Sequence, residues 1–519
     1  MRRLTTVIML GLVLGGCAQP ANAPKPQPTN QATNPPSSSD LSQSEINAAT
    51  EAMITALEQN DITAFTALLA SSPRQSLNPK DGYSPLYLAI TMRHPELVKP
   101  LLDAGADPNL GNQYSGYQTP LMFAIFNVDI NSFKQLLAYG ATPDGVDYKG
   151  LSPLHYLAQS RCGSCLPRDE FNHQALALLM EHGADINQQD NEGESPAFVA
   201  AKYNNIPMLS ALTAQGANLD LLTKGGFSTL IQAIDFNEPE IVAALLRLGA
   251  DVDAKTAHDT TPLMDALLRR ETRQAIIDKL IAAGANVNSH GAEATPLVIA
   301  VESNNIAQVN QLVAAGADPS LATLEGYTTP LMSAIYIQSN PMIERLLQLG
   351  AEPNQQDVQG ASPLRYAIGL QNQTAVKLLI DAGADVNELT KQHWTPLATA
   401  IDINNLEIAS LLLAKGADIN ISDSYGDWPP IVLASSKLDL PMLSLLMENG
   451  ADIKGTNLNG NNALHIAVLN IDQLDNNAKQ VISALINYGA DLQAVNHSGS
   501  SALDYADSKP ELLKFLQQF

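Results

Sequence analysis

Apolar residues fall in two short runs that recur with a period near 33 residues over most of the chain. The first run follows a Thr-Pro-Leu step, as in residues 119–121 and 329–331, and the second run ends at a Gly-Ala step. Apolar residues within each run are spaced to lie on one side of a helix. The pattern therefore predicts two short amphipathic helices in every unit, separated by a polar turn.

The Gly-Ala step sets the length of the unit, because twelve copies follow one another in phase. Intervals between them are 35, 43, 33, 33, 35, 32, 34, 33, 33, 34 and 39 residues. The copies begin at Gly105, Gly140, Gly183, Gly216, Gly249, Gly284, Gly316, Gly350, Gly383, Gly416, Gly450 and Gly489. A fixed period of this length indicates one repeat array and not several globular domains.

Local chemistry explains each boundary of the unit. Thr or Ser caps the first helix, and Pro at the first helical position gives up only an amide that has no partner. Asn residues such as Asn205 and Asn405 are expected to cap the second helix. The glycine of Gly-Ala is expected to end that helix in the left-handed conformation. One such unit cannot bury its own apolar face, so neighbours must stack.

A period near 33 with Thr-Pro-Leu-His-x-Ala resembles the ankyrin repeat family. The resemblance implies an all-α repeat solenoid with a β-hairpin-like finger in each unit, and about fourteen units including caps. We expect the solenoid over residues 44–519, with an N-terminal cap at 44–77, central repeats at 78–498 and a C-terminal cap at 499–519. The His of the signature is kept only at His155 and His465.

The first residues predict export and lipidation. Arg2 and Arg3 precede an apolar run of about eleven residues, too short to span a ~30 Å hydrocarbon core. The Leu-Gly-Gly-Cys sequence that ends at Cys17 resembles the lipobox of bacterial lipoproteins. It implies a signal peptide at 1–16, acylation of Cys17 and a Pro-rich tether at 17–43. A plain signal peptide and a buried N-terminal helix are the alternatives. With Ala18 after the cysteine, we expect anchoring in the outer membrane, on its periplasmic face.

Charge excludes one class of partner. The chain has 53 acidic and 29 basic residues, which gives a formal net charge of −24. Nucleic-acid affinity depends mainly on Lys and Arg, so a nucleic-acid partner is not expected. An acidic surface would suit a basic protein partner.

The longest interval contains an insertion in the fourth unit with Cys162 and Cys165. In an oxidising compartment such a pair favours a small disulfide within the loop. The alternatives are a thioredoxin-like redox site, a zinc site that recruits His155 and His173, and two free thiols. Apart from this pair, the sequence contains no catalytic constellation, metal-ligand spacing or phosphate loop, and we expect no cofactor and no metal.

Aromatic residues recur beside the Thr/Ser-Pro step and late in the first helices. The resemblance implies binding of other proteins through finger tips and the exposed side of these helices. Buried aromatic anchors often dominate interface energetics; alternatively, the rings only cover neighbouring fingers. The predicted partner-binding residues are Tyr83, Tyr117, Phe126, Tyr203, Phe227, Phe236, Tyr327, Tyr336, Trp394 and Trp428.

The sequence as a whole favours a monomeric, membrane-anchored scaffold or regulator that binds a protein in the bacterial periplasm and is not an enzyme. One alternative is an immunity or secretion-system accessory protein that neutralises or chaperones a toxin. A further alternative is a periplasmic oxidant-defence protein that uses Cys162 and Cys165.

Overall fold

The computed structural model describes residues 42–80, 82–160, 166–269, 273–390, 394–422 and 427–519. This part of the chain contains twenty-eight α-helices and two short 3-10 helices. The α-helices follow one another as fourteen pairs, which we number repeats 1–14 in chain order. The predicted all-α repeat solenoid and its number of units are confirmed.

The first helix of every repeat carries an odd number, in chain order: α1 Gln43–Glu58, α3 Pro85–Thr91, α5 Pro120–Asn127, α7 Pro153–Gln159, α9 Pro196–Lys202, α11 Thr229–Asp235, α13 Pro262–Leu268, α15 Pro296–Glu302, α17 Pro330–Tyr336, α19 Pro363–Gly369, α21 Pro396–Asp402, α23 Pro430–Ser436, α25 Ala463–Asn470 and α27 Ala502–Ala506.

The second helices carry even numbers: α2 Ile62–Ser71, α4 Pro95–Asp103, α6 Ile130–Ala138, α8 Leu166–Glu181, α10 Ile206–Ala214, α12 Pro239–Arg247, α14 Gln274–Ala282, α16 Ile306–Ala314, α18 Asn340–Gln348, α20 Gln373–Asp381, α22 Leu406–Ala414, α24 Leu440–Glu448, α26 Asn476–Tyr488 and α28 Pro510–Leu516. The 3-10 helices are Arg74–Leu77 and Gln113–Ser115.

Capping chemistry sets the helix ends as predicted. The hydroxyl of Thr329 accepts a hydrogen bond from the amide of Met332 at 3.2 Å, with Pro330 at the first helical position. The side chain of Asn405 accepts from the amide of Ile408 and starts α22. Ser42 caps α1, so residue 43, the last residue of the predicted tether, is already helical.

Stacking of like helices builds one continuous core. First helices pack on first helices, as α3 on α5 and α17 on α19, and second helices pack on second helices, as α4 on α6 and α24 on α26. The leucine of the Thr-Pro-Leu step is fully buried at Leu263, Leu331 and Leu397. Burial of one such side chain contributes about 1.5–3 kcal/mol, so the solenoid depends on every repeat having a neighbour.

Left-handed residues form both turns of most repeats. Glycines of the Gly-Ala steps have positive φ, for example +96° at Gly105 and +90° at Gly416. The turn between the two helices uses one left-handed residue, which is Asn at Asn204, Asn304 and Asn404. Asn tolerates this conformation better than most residues, which accounts for the Asn-rich turns of the sequence.

Fingers connect the repeats on one side of the stack. The amide of Tyr148 donates to the carbonyl of Gly116 at 2.9 Å, and the amide of Asn191 donates to the carbonyl of Lys149 at 2.9 Å. Isolated β-bridges join residues within three fingers, and the described residues form no extended strand. Successive fingers are therefore held by backbone bonds without a regular sheet.

A ladder of side-chain acceptors adds a second link between repeats. In each rung, the amide two residues after the Gly of Gly-Ala donates to a side-chain oxygen of the preceding repeat, at 2.6–3.1 Å. We call these eleven bonds the Asx ladder; the pairs are Asp107–Asn78, Thr142–Asn109, Asp185–Asp144, Asn218–Asn187, Asp251–Asp220, Asn286–Asp253, Asp318–Asn288, Glu352–Ser320, Asp385–Asn354, Asp418–Asn387 and Asp452–Asn420.

Asparagine makes a better rung than aspartate. The amide nitrogen of Asn387 also donates to the carbonyl of Gly416 at 3.1 Å, a bond that a carboxylate cannot make. Burial, with the nearby negative charge of Asp251 adding to it, raises the pKa of the Asp220 carboxyl, although the amide of Asp251 donates a hydrogen bond to that carboxylate. Burial raises the pKa of the Asp144 carboxyl in the same way, so the rungs at Asp144 and Asp220 are the weaker members of the ladder.

Across the described residues, none of the helices has both the length and the apolar character that crossing a membrane requires.

Candidate protein-binding surface

Two surface positions recur in the repeats on the side of the first helices. One lies in the finger, one or two residues before the cap of the first helix; the other lies at the end of that helix. In repeat 5, Glu194 of the finger and Lys202 of α9 form an ion pair at 2.7 Å. In repeat 5 the side chains at these two positions are therefore close enough to contact one ligand together.

Exposed aromatic residues occupy both positions in repeats 3, 6 and 9. All six of these side chains are 38–70% exposed, and the members of each pair are nine residues apart in the sequence. We call them the aromatic pairs: Tyr117 with Phe126, Phe227 with Phe236, and Tyr327 with Tyr336. With about 10 Å between stacked helices, three repeats place successive pairs roughly 30 Å apart.

Two of these tyrosines have a backbone conformation that disfavours a side chain. Tyr117 has φ +64° and Tyr327 has φ +53°. Most other repeats have glycine at this finger position, for example Gly150 and Gly360 with φ +80° and +81°. Strained residues of this kind cluster at ligand-binding sites, so the two tyrosines are candidates for binding residues.

Carboxylates lie between the second and third aromatic pairs. Arg269 forms ion pairs with Asp235 of repeat 6 at 2.6 Å and with Asp265 of its own repeat at 2.9 Å, so its positive charge is balanced by these two carboxylates. Burial, with the negative charge of Glu293 adding to it, raises the pKa of the Glu302 carboxyl. This stretch of surface is net acidic.

The remaining predicted aromatic residues have different surroundings. Tyr203 is exposed at the end of α9, in repeat 5. Trp394 and Trp428 are half-buried and pack against the core. The two tryptophans therefore stabilise fingers, and less of each ring is available to a partner than of the paired aromatics.

Tyr83 belongs to an aromatic cluster at the N-terminal end of the solenoid. Its ring centroid lies 5.7 Å from that of Tyr87 and 5.5 Å from that of Tyr114, and Tyr87 contacts Phe123 edge-on at 4.6 Å. Tyr114 is highly exposed but was not among the predicted residues. It sits in the 3-10 turn of a lengthened finger, and the interval of 35 residues was the available signal.

Histidine geometry argues against the zinc alternative. In His155, Nδ1 bonds to Ser152 and Nε2 lies 2.9 Å from the carbonyl of Glu194, so both nitrogens already have partners. His173 bonds to the carbonyl of Asp169. The part of the chain with described structure holds no group of three or more potential metal ligands. Cys17, Cys162 and Cys165 lie outside that part.

Comparison with known proteins decides the family. Models for ankyrin repeats match residues 94–167, 168–256, 331–423 and 459–497, together more than half of the chain. The chain belongs to the ankyrin repeat family. Ankyrin repeat proteins are generally non-catalytic and bind other proteins, so family membership indicates a protein-binding scaffold.

Its ankyrin relatives match over limited segments. A mouse B-cell lymphoma 3 protein homolog is 29% identical over 167 residues, which cover 30% of this chain and 34% of the relative. Ankyrin repeat protein nuc-2 of Neurospora crassa is 33% identical over 150 residues, 28% of this chain and 13% of the relative. The chain thus spans about a third or less of the length of these relatives. The crystal structure of the Bcl-3 ankyrin repeat domain aligns with 43% of this chain and 98% of its own, at 25% identity and a TM-score of 0.39.

Proposed function

We propose that this ankyrin solenoid is a non-catalytic scaffold or regulator that binds a protein partner through the three aromatic pairs. The observation that carries the proposal is their arrangement: exposed rings occupy both of these surface positions in repeats 3, 6 and 9. Aromatic side chains supply much of the binding energy of protein interfaces. Two of the rings are retained at left-handed backbone positions, a cost that a binding role explains.

The surface between the pairs favours a basic partner. Glu293 and Glu302 lie between the second and third pairs, and the cation Arg269 in the same stretch is bound to two carboxylates. A partner with Lys or Arg between its apolar anchors would pair with these acids, and the net charge of −24 would speed the encounter. The outer pairs lie roughly 60 Å apart along six repeats, so a partner that contacts all three is elongated.

The binding test compares two sets of exposed residues. One variant replaces Phe126, Phe236 and Tyr336 with Ala; the control replaces Leu324, Leu458 and Val495, which are equally exposed apolar residues outside the aromatic pairs. Each full-length protein is used for affinity capture, and bound proteins are quantified by mass spectrometry. A partner bound by the wild type and the control but lost by the aromatic variant supports the proposal. Equal recovery by all three proteins contradicts it.

Anchoring in the outer membrane forms the second half of the proposal and is supported by the sequence around Cys17. Several acyl chains, at roughly 0.8 kcal/mol per buried CH₂, would make membrane attachment effectively permanent. Metabolic labelling with palmitate should mark the wild-type protein and not a Cys17→Ser variant, which should leave the membrane fraction. Retention of the label in the variant would exclude lipidation at Cys17.

A further inference from the structure

An open groove lies at the N-terminal end of the solenoid, between α1 and the first two fingers. Its volume is about 710 Å³. Gln43 and Glu51 of α1 line one side, and Lys80, Tyr83 and Tyr114 line the other. None of the six residues of the aromatic pairs lines this groove.

Rings give the groove a rigid apolar wall. The centroids of Tyr83 and Tyr114 are 5.5 Å apart with an interplanar angle of 40°, and Tyr87 supports Tyr83 from behind at 5.7 Å. Tyr83 and Tyr114 nevertheless remain well exposed. Grooves lined by aromatic side chains recognise proline-rich segments, because the polyproline II helix is preformed and loses little entropy on binding.

A segment with this chemistry immediately precedes the groove in the chain. Residues 24–36 contain five prolines, with the sequence Pro-Lys-Pro-Gln-Pro at 24–28 and Pro-Pro at 35–36. Gln43 lines the groove, and only residues 37–42 separate it from this segment. We propose that residues 24–36 of this chain bind in the groove against Tyr83 and Tyr114, in polyproline II conformation.

Length and charge both fit this occupant. From residue 43 to residue 54, α1 runs about 16 Å along the groove, a distance that about five polyproline II residues cover. Residues 37–41 are then sufficient to reverse the direction of the chain. Within residues 24–41 the charged side chains are Lys25 and Asp40, and the groove presents Glu51 and Lys80.

Residues 24–36 can bind weakly and still occupy the groove most of the time, because the segment and the groove belong to one chain. A short connection between two parts of a chain gives an effective concentration in the mM range, so a dissociation constant of about 0.1 mM would leave the groove roughly 90% occupied. Bound residues 24–36 would cover Tyr83 and shorten the reach of the predicted tether. Release of this segment would expose the groove and lengthen the connection to the membrane.

Site-specific photo-cross-linking in the full chain tests the contact directly. Tyr114 is replaced by p-benzoylphenylalanine, the protein is irradiated, and cross-linked peptides are identified by mass spectrometry. We expect an intrachain cross-link to residues 24–36. The matched control carries the same photoreactive residue at Tyr336, which is similarly exposed but lies six repeats away, and should give no such cross-link.

Hydrogen exchange supplies an independent measurement. A full-length variant with Ser in place of the five prolines should exchange the backbone amides of residues 112–118 several-fold faster than the wild type, with the amides of α17 unchanged. Absence of the intrachain cross-link, or unchanged exchange in residues 112–118, would overturn the proposal. Cross-links that form only between two chains, with a yield that rises with concentration, would overturn it in favour of a second copy as the occupant.

Discussion

The left-handed tyrosine of repeat 9 permits a test in which Ala and Gly variants should have opposite orders of stability at two positions. Tyr327 has φ +53°, whereas its pair member Tyr336 is the last residue of the helix α17. Replacing either residue with Ala or with Gly removes the ring. The difference between the two variants then reports the backbone alone, since the lost ring contacts are the same in both.

The expected magnitudes follow from backbone sterics. At Tyr327, Ala keeps a Cβ that costs roughly 1–2 kcal/mol in the left-handed region, and Gly removes that cost but loses roughly 0.5–1 kcal/mol through its flexible unfolded state. The Tyr327→Gly variant should therefore be more stable than Tyr327→Ala by about 0.5–1 kcal/mol. At Tyr336 the order should reverse, with Gly less stable than Ala by about 0.5–1 kcal/mol.

Native-state hydrogen exchange of the amides of α17 and α18 is the appropriate assay, because a repeat array opens locally. Equal stability of the two Tyr327 variants, or the same order at both positions, would refute the reasoning. Should the inverted order be found, Tyr327→Gly also becomes the preferred variant for binding assays. It removes the ring while relieving the backbone, so a loss of partner affinity could not be attributed to unfolding.

Three further predictions concern the scaffold. Asp220→Asn should stabilise the protein by about 0.5–1.5 kcal/mol at pH 7, because it adds a hydrogen-bond donor and removes a carboxylate of raised pKa. Protonation of Asp220 removes the buried charge from the wild type, so the difference in stability should shrink as the pH falls toward 4. Asn387→Asp should have the opposite effect and destabilise the protein, and chemical denaturation measures both variants. Asn404→Ala should cost about 1–2 kcal/mol at its left-handed position whereas Asn404→Gly costs less, measured by exchange in α21 and α22. Burial lowers the pKa of His155 below its usual value, so the stability of the protein should be highest above pH 6.5 and fall as the pH drops from 6.5 toward the folded-state pKa. A His155→Gln variant should be less stable at pH 7.5, and its stability should depend less on pH over this range. Equal pH dependence of the two proteins would exclude the histidine as the cause.

Local chemistry made the helices predictable, and contacts between repeats made the surface harder to predict. Caps such as Thr329 and Asn405 act within three residues of their own position, so their role is legible in the sequence. Burial of Trp394 depends on how a finger packs against the core, which periodicity alone does not determine. Tyr327 lies two residues before its helix cap, where most other fingers have glycine, but the strain at this position depends on the finger conformation that the structure supplies.

The Asx ladder was the main feature that sequence reasoning missed. Ten of its eleven acceptors lie four residues after the Gly of a Gly-Ala step, and this regularity is present in the sequence. Each acceptor, however, bonds to an amide about 31 residues further along, as Asn387 does to Asp418. That pairing depends on the register between stacked repeats, which the structure supplies.

The same ladder determines how the protein would respond to a pulling force. Its rungs carry a load along the solenoid one after another, so the weakest rung yields first. Asp144, Asp220 and Asp253 place the carboxylate rungs in the N-terminal half, and beyond Asp452 the acceptor position is taken by Lys454, which cannot accept a hydrogen bond. A protein held at its N-terminus and pulled by a partner would thus open first at two places. One is the group of repeats joined by carboxylate rungs, and the other is the C-terminal end beyond the last rung at Asp452.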